Sequence, residues 1–271
     1  MDAVSGSSTP AADQPGLPDL IAALPPRLGG RGQPGRSHDD PRSVAVTYMM
    51  QANARLLRPQ LSDEPAMELS SVRGLGELQA NWATVRAEWD ALRSSYDRLP
   101  TMERILGGPP GWDGSWEWFS INSFSRWEPR ARAAVPATVE LLEGVEGLVQ
   151  AAFSILKPGT FLHPHRGTNT GVLRGLMGIV VPEPEACGTL VGDCRMDLSE
   201  GVMELFDDTF EHAAWNAGTT ERVALLLEIR HPARGLPDRF NRLCQRAYRH
   251  HAVVQKGIER LEPLMLELEE S

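Results

Sequence analysis

The residues best suited to chemistry in this sequence are two histidines separated by one proline, His163 and His165, in the segment HPHRG. In an extended run they share a face, and Pro164 restricts that run to a strand end or a sheet edge. Another histidine, His212, stands in FDDTFEHAAWN, after the strand-like GVMELF and before RVALLLEIR, where a closed sheet would fold over its interior. Imidazoles are good ligands for first-row metals, and a metal that activates dioxygen needs two or three fixed protein ligands and open positions beside them. The usual form of that site has Asp or Glu two residues after the first histidine, and here that position is Gly167. Two readings follow: the metal keeps an extra open position, or no metal is bound.

Two arginines bear on the choice. Alternation puts Val172, Arg174 and Leu176 on one strand face. Arg222 begins RVALLLEIR with Ala224, Leu226, Glu228 and Arg230 on its own side, while Val223, Leu225, Leu227 and Ile229 make the other side wholly apolar. Either the charged side is a solvated outer face, or Arg222 points into a barrel mouth and grips a carboxylate through a bidentate pair.

These residues have to be positioned by short strands. From Leu148 the runs LVQAAFSIL, TFLHPH, VLRGLMGIVV, GTLVGD, GVMELFD and RVALLLEIR alternate with Gly, Pro and Asp. Strands at that spacing predict a mostly β fold with flanking helices, a double-stranded β-helix or cupin-like jelly roll. Upstream, Leu78, Trp82, Val85, Trp89, Leu92 and Tyr96 define one face of a helix over Glu77 to Arg98. GGPPGWDG at 107–114 reads as a turn, SWEWFSI as a strand and Pro129 to Leu142 as a short helix. From Pro237 onward the pattern is helical again, with Phe240, Leu243 and Cys244 on one side and Leu261, Leu264 and Leu266 further on.

The resulting division is a disordered or loosely attached tail over 1–40, a helical and mixed part over 41–147, a jelly-roll core over 148–234 and C-terminal helices over 235–271. The tail is rich in Pro, Gly, Ser and Asp and offers little burial to offset its ordering entropy.

With 271 residues there is room for a proper core, and the net charge of −9 argues against a nucleic-acid polymer or an anionic membrane surface as partner. An anionic ligand would need a local basic pocket. The three cysteines form no CxxC pair, no basic and apolar leader opens the chain, and no apolar run is long enough to span a bilayer. A soluble, cytoplasmic protein is expected, and nothing in the sequence specifies an oligomeric state.

In order and in nearly the same spacing, FSILKPGTFLHPHRG, LRGLMGIVVP, FDDTFEHAAWN and RVALLLEIRHP closely resemble the aspartyl/asparaginyl β-hydroxylase family. Weaker likeness runs upstream through LQANWATVRAEW, WEWFSI and PATVELLEGV, so the resemblance covers roughly residues 75–234. It implies a jelly-roll oxygenase using Fe(II), 2-oxoglutarate and O2, with iron on two histidines and no carboxylate, which accounts for Gly167. Carried over by position, His165 and His212 match the iron ligands. Ser154 and Arg222 match the residues that hold the distal carboxylate of 2-oxoglutarate, and Arg174 matches one that contacts the end nearer the iron. Asp208 matches an acid that orients a ligand or bound water. One departure is Leu176, where the family commonly has histidine in an LRxHL motif.

The implied activity is hydroxylation of an unactivated C–H bond in a small molecule or an amino-acid or peptide-type substrate, in bacterial specialised metabolism. His163, Arg166 and Arg230 are candidates for a rim that reads a substrate anion. The alternative within the enzyme class is halogenation, with chloride in the position opened at Gly167. Outside it, the alternative is a non-catalytic jelly roll that binds a ligand.

Overall fold

The strands and helices were located in a computed structural model that describes residues 16–30, 41–96, 98–107, 111–167 and 169–267. In chain order the strands are β1 (Trp112–Asp113), β2 (Trp116–Ser123), β3 (Arg126–Trp127), β4 (Leu148–Leu156), β5 (Thr160–His165) and β6 (Val172–Val180). They continue with β7 (Cys187–Val191), β8 (Cys194–Met196), β9 (Met203–Phe206), β10 (His212–Asn216) and β11 (Arg222–Arg230). The helices are α1 (Leu17–Ala22), α2 (Pro41–Leu57), α3 (Leu75–Ala80), α4 (Trp82–Ser95) and α5 (Met102–Leu106). After them come α6 (Pro129–Ala134), α7 (Pro136–Glu143), α8 (Gly235–Tyr248) and α9 (Ala252–Glu267).

The strands form two antiparallel sheets, a larger one in the order β3-β2-β4-β11-β6-β9 and a smaller one in the order β1-β5-β10-β7-β8. Leu156 of the larger sheet meets Leu162 and Ala214 of the smaller one, which identifies the faces that oppose each other. This is the jelly roll expected from the strand pattern. All six predicted runs are strands, although GTLVGD turns at its Gly-Asp into a hairpin of β7 and β8. The strand at His212–Asn216 was not anticipated.

Alternation in β11 decides which face is dry. Val223, Leu225, Leu227 and Ile229 pack with Phe153, Ile155, Met177 and Ile179 under the helical layer of α3, α4 and α7. Trp89 of α4 lies 4.9 Å from the Phe153 ring, centroid to centroid, and is 1% exposed. Trp89→Ala leaves a void at that helix–sheet junction and should cost about 3–5 kcal/mol, read as a lower denaturant midpoint at unchanged slope.

Two predicted helices are interrupted. Asn81 separates α3 from α4, its side-chain amide donating to the Glu77 carbonyl at 2.9 Å and competing with the helical pattern. Pro136, lacking an N–H, begins α7 after a break at Val135.

Part of the expected tail is packed. The stripe Leu17, Leu20, Ile21, Leu24 and Leu28 lies on Phe161 and Trp215, covering the outer face of the smaller sheet; Leu28 is buried. The remainder of 1–40 lies outside the described residues. At the other end α8 packs on α2, with Asn53 Nδ2 donating to Asn241 Oδ1 at 2.9 Å. Cys187, Cys194 and Cys244 are unpaired thiols. Among the described residues, no helix is long and apolar enough to cross a membrane.

Candidate active site

His165 and His212 face each other across the β5–β10 pair, in register, with ring centroids 4.2 Å apart. A register shift makes this possible. Leu162 pairs with Ala214 and His165 with His212, so β5 carries one more residue than β10 over this stretch, a bulge at His163–Pro164. Leu162 and His165 therefore both face the interior. His163, two residues before His165, does not share its face as an unbroken strand would require: its ring lies beside outward-facing Phe161, and its Nε2 is 3.1 Å from Asp113 Oδ2. Pro164 fits the bulge because its missing N–H removes a ladder donor where pairing lapses.

Each imidazole is held by its Nδ1. In His165, Nδ1 donates to the His163 carbonyl at 2.7 Å, and in His212 to the Phe210 carbonyl at 2.9 Å. A carbonyl can only accept, so Nδ1 carries the hydrogen and Nε2 presents its lone pair. Burial lowers the pKa of both rings, that of His212 to about 3 with help from the neighbouring His165 and Arg174. Two neutral imidazoles with fixed tautomers, each presenting an Nε2 lone pair, are the donor type that would hold a first-row metal ion.

Gly167 follows at the end of β5, its N–H donating to the Asp208 carbonyl oxygen at 2.7 Å. A Cβ placed on Gly167 would stand 2.4 Å from Cγ, Oδ1 and Oδ2 of Asp208. The Asp208 carboxylate thus occupies the space that a side chain at 167 would need. Asp208 is 1% exposed; its Oδ2 accepts from Arg174 Nη2 at 2.7 Å and Nε at 3.2 Å, while its Oδ1 is buried without a partner. Burial raises its pKa to about 6 against the pull of Arg174. Arg174 also donates to Glu228 Oε1 at 3.0 Å. The crowding at 167 has a testable consequence. Gly167→Asp should lower stability by about 1–3 kcal/mol without tightening iron, and Asp208→Ala in the same chain should recover most of the loss, both read by denaturant titration.

Arg222 and Ser154 lie on the interior face of the larger sheet, on neighbouring strands β11 and β4. The structure thereby resolves the two readings of β11: its apolar side meets the helices, and Arg222 points between the sheets, 4% exposed. Burial pulls its pKa down to about 10, so it remains a cation at neutral pH. Its Nε is buried without a hydrogen-bond partner, and among the described residues it forms no ion pair with a carboxylate. Ser154 Oγ accepts from Trp116 Nε1 at 2.9 Å. Leu176 shares this interior face, paired with Leu226 and Glu204 and buried.

The three expected rim residues separate. Arg166 lines the cleft in front of His165 and ion-pairs with Glu211 at 3.0 Å. His163 turns outward, as described. Arg230 is engaged by Asp238 at the start of α8 and is not among the residues lining the cleft. Reasoning from the sequence missed Glu228 as a site residue and missed the cleft wall supplied by α5 and α9. The parity of Glu228 with Arg222 was the one available signal.

Comparison with known proteins adds an independent line. The family model described as Aspartyl/Asparaginyl beta-hydroxylase matches residues 79–232. An ornithine lipid ester-linked acyl 2-hydroxylase from Rhizobium tropici is 30% identical over 184 residues, covering 67% of this chain and 65% of that protein. The human aspartyl/asparaginyl beta-hydroxylase is 29% identical over 162 residues, 57% of this chain and 21% of its own length. This chain thus spans just under two thirds of the first relative and about a fifth of the second. A Pseudomonas putida prolyl-4-hydroxylase structure overlaps 58% of this chain and 88% of its own, with a TM-score of 0.35 and 17% identity. With a family match over more than half its length and 30% identity to the Rhizobium protein, the chain belongs to the aspartyl/asparaginyl β-hydroxylase family.

Proposed function

We propose that this protein is an Fe(II)- and 2-oxoglutarate-dependent dioxygenase that hydroxylates an unactivated C–H bond of a small molecule, with His165 and His212 holding the iron. The observation that carries the reading is Arg222, a buried cation with no carboxylate partner among the described residues, on the interior face that opposes the two imidazoles. Leaving a buried charge uncompensated is costly, so a ligand carboxylate is the natural complement. Ser154, on the neighbouring strand, adds a hydroxyl for the same group.

Iron and the keto acid, when bound, supply the oxidising power drawn from O2. The protein's own part is positional. Arg222 and Ser154 fix the distal carboxylate, the carbonyls of His163 and Phe210 hold the imidazole tautomers, and Asp208 offers Oδ1 as an acceptor for water at the site. Leu176 and Leu226 keep the floor dry.

Asp208 also favours hydroxylation over halogenation. Chloride in the position vacated at Gly167 would lie against the Asp208 carboxyl oxygens, which fill that space and are held there by Arg174. The Rhizobium relative's name places its reaction on a lipid acyl chain; an apolar substrate portion is a compatible proposal here.

The test is succinate release on adding Fe(II), 2-oxoglutarate and O2, with products weighed in the presence and absence of chloride. One added oxygen under saturating chloride is the expected result. A chloride-dependent chlorine isotope pattern would replace hydroxylation by halogenation, and no succinate under any condition would leave a non-catalytic jelly roll.

A further inference from the structure

The charges of this protein are segregated. Averaged over the chain, a net charge of −9 argues against an anionic surface as partner, yet residues 41–62 contain no Asp or Glu. Residues 233–251 contain five arginines and one acid, Asp238, which is buried. These two stretches supply α2 and α8, which pack on each other and lie outside the family match at 79–232. A basic layer has thus been added beside the jelly roll.

The residues of α8 sort into two faces. Asn241, Cys244, Gln245 and Tyr248 face inward and are buried. On the outer face Leu236, Arg239, Leu243 and Arg246 recur at spacings of three, four and three. All four are exposed, Leu236 by 71% and Leu243 by 52%. Asp238, the one carboxylate on the helix, is already engaged by Arg230 and Arg242. Among the described residues, Arg239 and Arg246 have neither an ion pair nor a hydrogen bond. Carboxylates three or four residues away would stabilise an ordinary solvated helix, and this face has none.

Two chemistries therefore alternate along one line. A guanidinium is a bidentate partner for phosphate oxygens, whereas an exposed leucine gains only by leaving water. Phosphate above hydrocarbon is the layering of a phospholipid surface, where arginine stems extend along the apolar boundary and their heads stay at the headgroups. A purely electrostatic partner, such as an acidic polypeptide, would satisfy the arginines but gain nothing from the leucines.

We propose that α8 docks this protein on an anionic phospholipid membrane, with Arg239 and Arg246 at the headgroup phosphates and Leu236 and Leu243 in the acyl boundary. The attachment is peripheral, since no helix among the described residues is long and apolar enough to cross a bilayer. Docking does not depend on the oxygenase reading, and it leaves the substrate open.

The test is co-sedimentation of the full chain with vesicles of phosphatidylcholine alone or mixed equally with phosphatidylglycerol, at low and high salt. Poly-glutamate serves as an acidic probe without hydrocarbon. Binding should require phosphatidylglycerol and weaken with salt. Arg239→Glu combined with Arg246→Glu should lower the partition coefficient at least about 20-fold. Leu236→Ser combined with Leu243→Ser should lower it at least about fivefold while leaving any poly-glutamate binding unchanged. These side chains are exposed, so unfolding midpoints should stay near that of the parent protein. No binding to the mixed vesicles, or binding that survives the arginine reversals, overturns the proposal. Vesicle binding unchanged by the leucine substitutions, or poly-glutamate bound as tightly as vesicles, would replace the membrane by an acidic macromolecule.

Discussion

Alanine at His165 or at His212 should abolish Fe(II)-dependent turnover while leaving the sheets folded. The two rings meet at 4.2 Å, and each has one nitrogen tied to a carbonyl and the other free for a metal. On the proposed reading these two imidazoles are the protein's whole donor set, so each supplies half of it. Neither ring carries the hydrophobic core, which is assembled on the far face of β11 under α4. Losing either one should therefore reduce iron affinity by orders of magnitude, with little change in circular dichroism or in the unfolding midpoint of the metal-free protein. Stoichiometric iron retained by the double variant would eliminate the assignment.

Arg222→Ala should weaken 2-oxoglutarate far more than iron. Truncating one partner of a buried charged hydrogen bond commonly costs about 2–5 kcal/mol, which is at least ~30-fold in affinity. The residue is buried on the interior face beside Ser154, without a carboxylate partner among the described residues, so the effect should fall on the co-substrate. Arg222→Lys should recover only part of the loss, since an ammonium group cannot reproduce the bidentate fork. The measurement is keto-acid binding to the iron-loaded protein under anaerobic conditions, with iron binding titrated separately. An unchanged keto-acid affinity would assign another role to the buried cation.

Much of the architecture could be read locally. Short apolar runs punctuated by Gly, Pro and Asp predicted the strands, and the four-and-three spacing from Leu78 to Leu92 predicted the helical face that packs on Phe153. Local signals failed where a single residue outweighed the pattern. Asn81 and Pro136 each divided a helix that periodicity had joined. Averaged composition concealed the Leu17–Leu28 stripe inside a Pro- and Gly-rich segment, though its spacing suits the sheet face that it covers. The strand at His212–Asn216 was obscured because its Ala-Ala-Trp core alternates weakly.

By itself, the sequence determined residue types and parity: histidines near a glycine where a carboxylate is usual, Arg222 on the same side as Glu228, and an apolar opposite side. Parity says which residues travel together, but not which side is inside. Only the tertiary structure decided that, by laying helices on the apolar side of β11 and the second sheet on the other. It also introduced the bulge at Pro164, which broke the His163–His165 parity and turned one ring outward. Finally, it brought Asp208 against Gly167, and Arg174 against both Asp208 and Glu228. Those contacts join residues far apart in the chain, and their geometry depends on how two sheets and a C-terminal helix close around one cleft, which no local periodicity encodes.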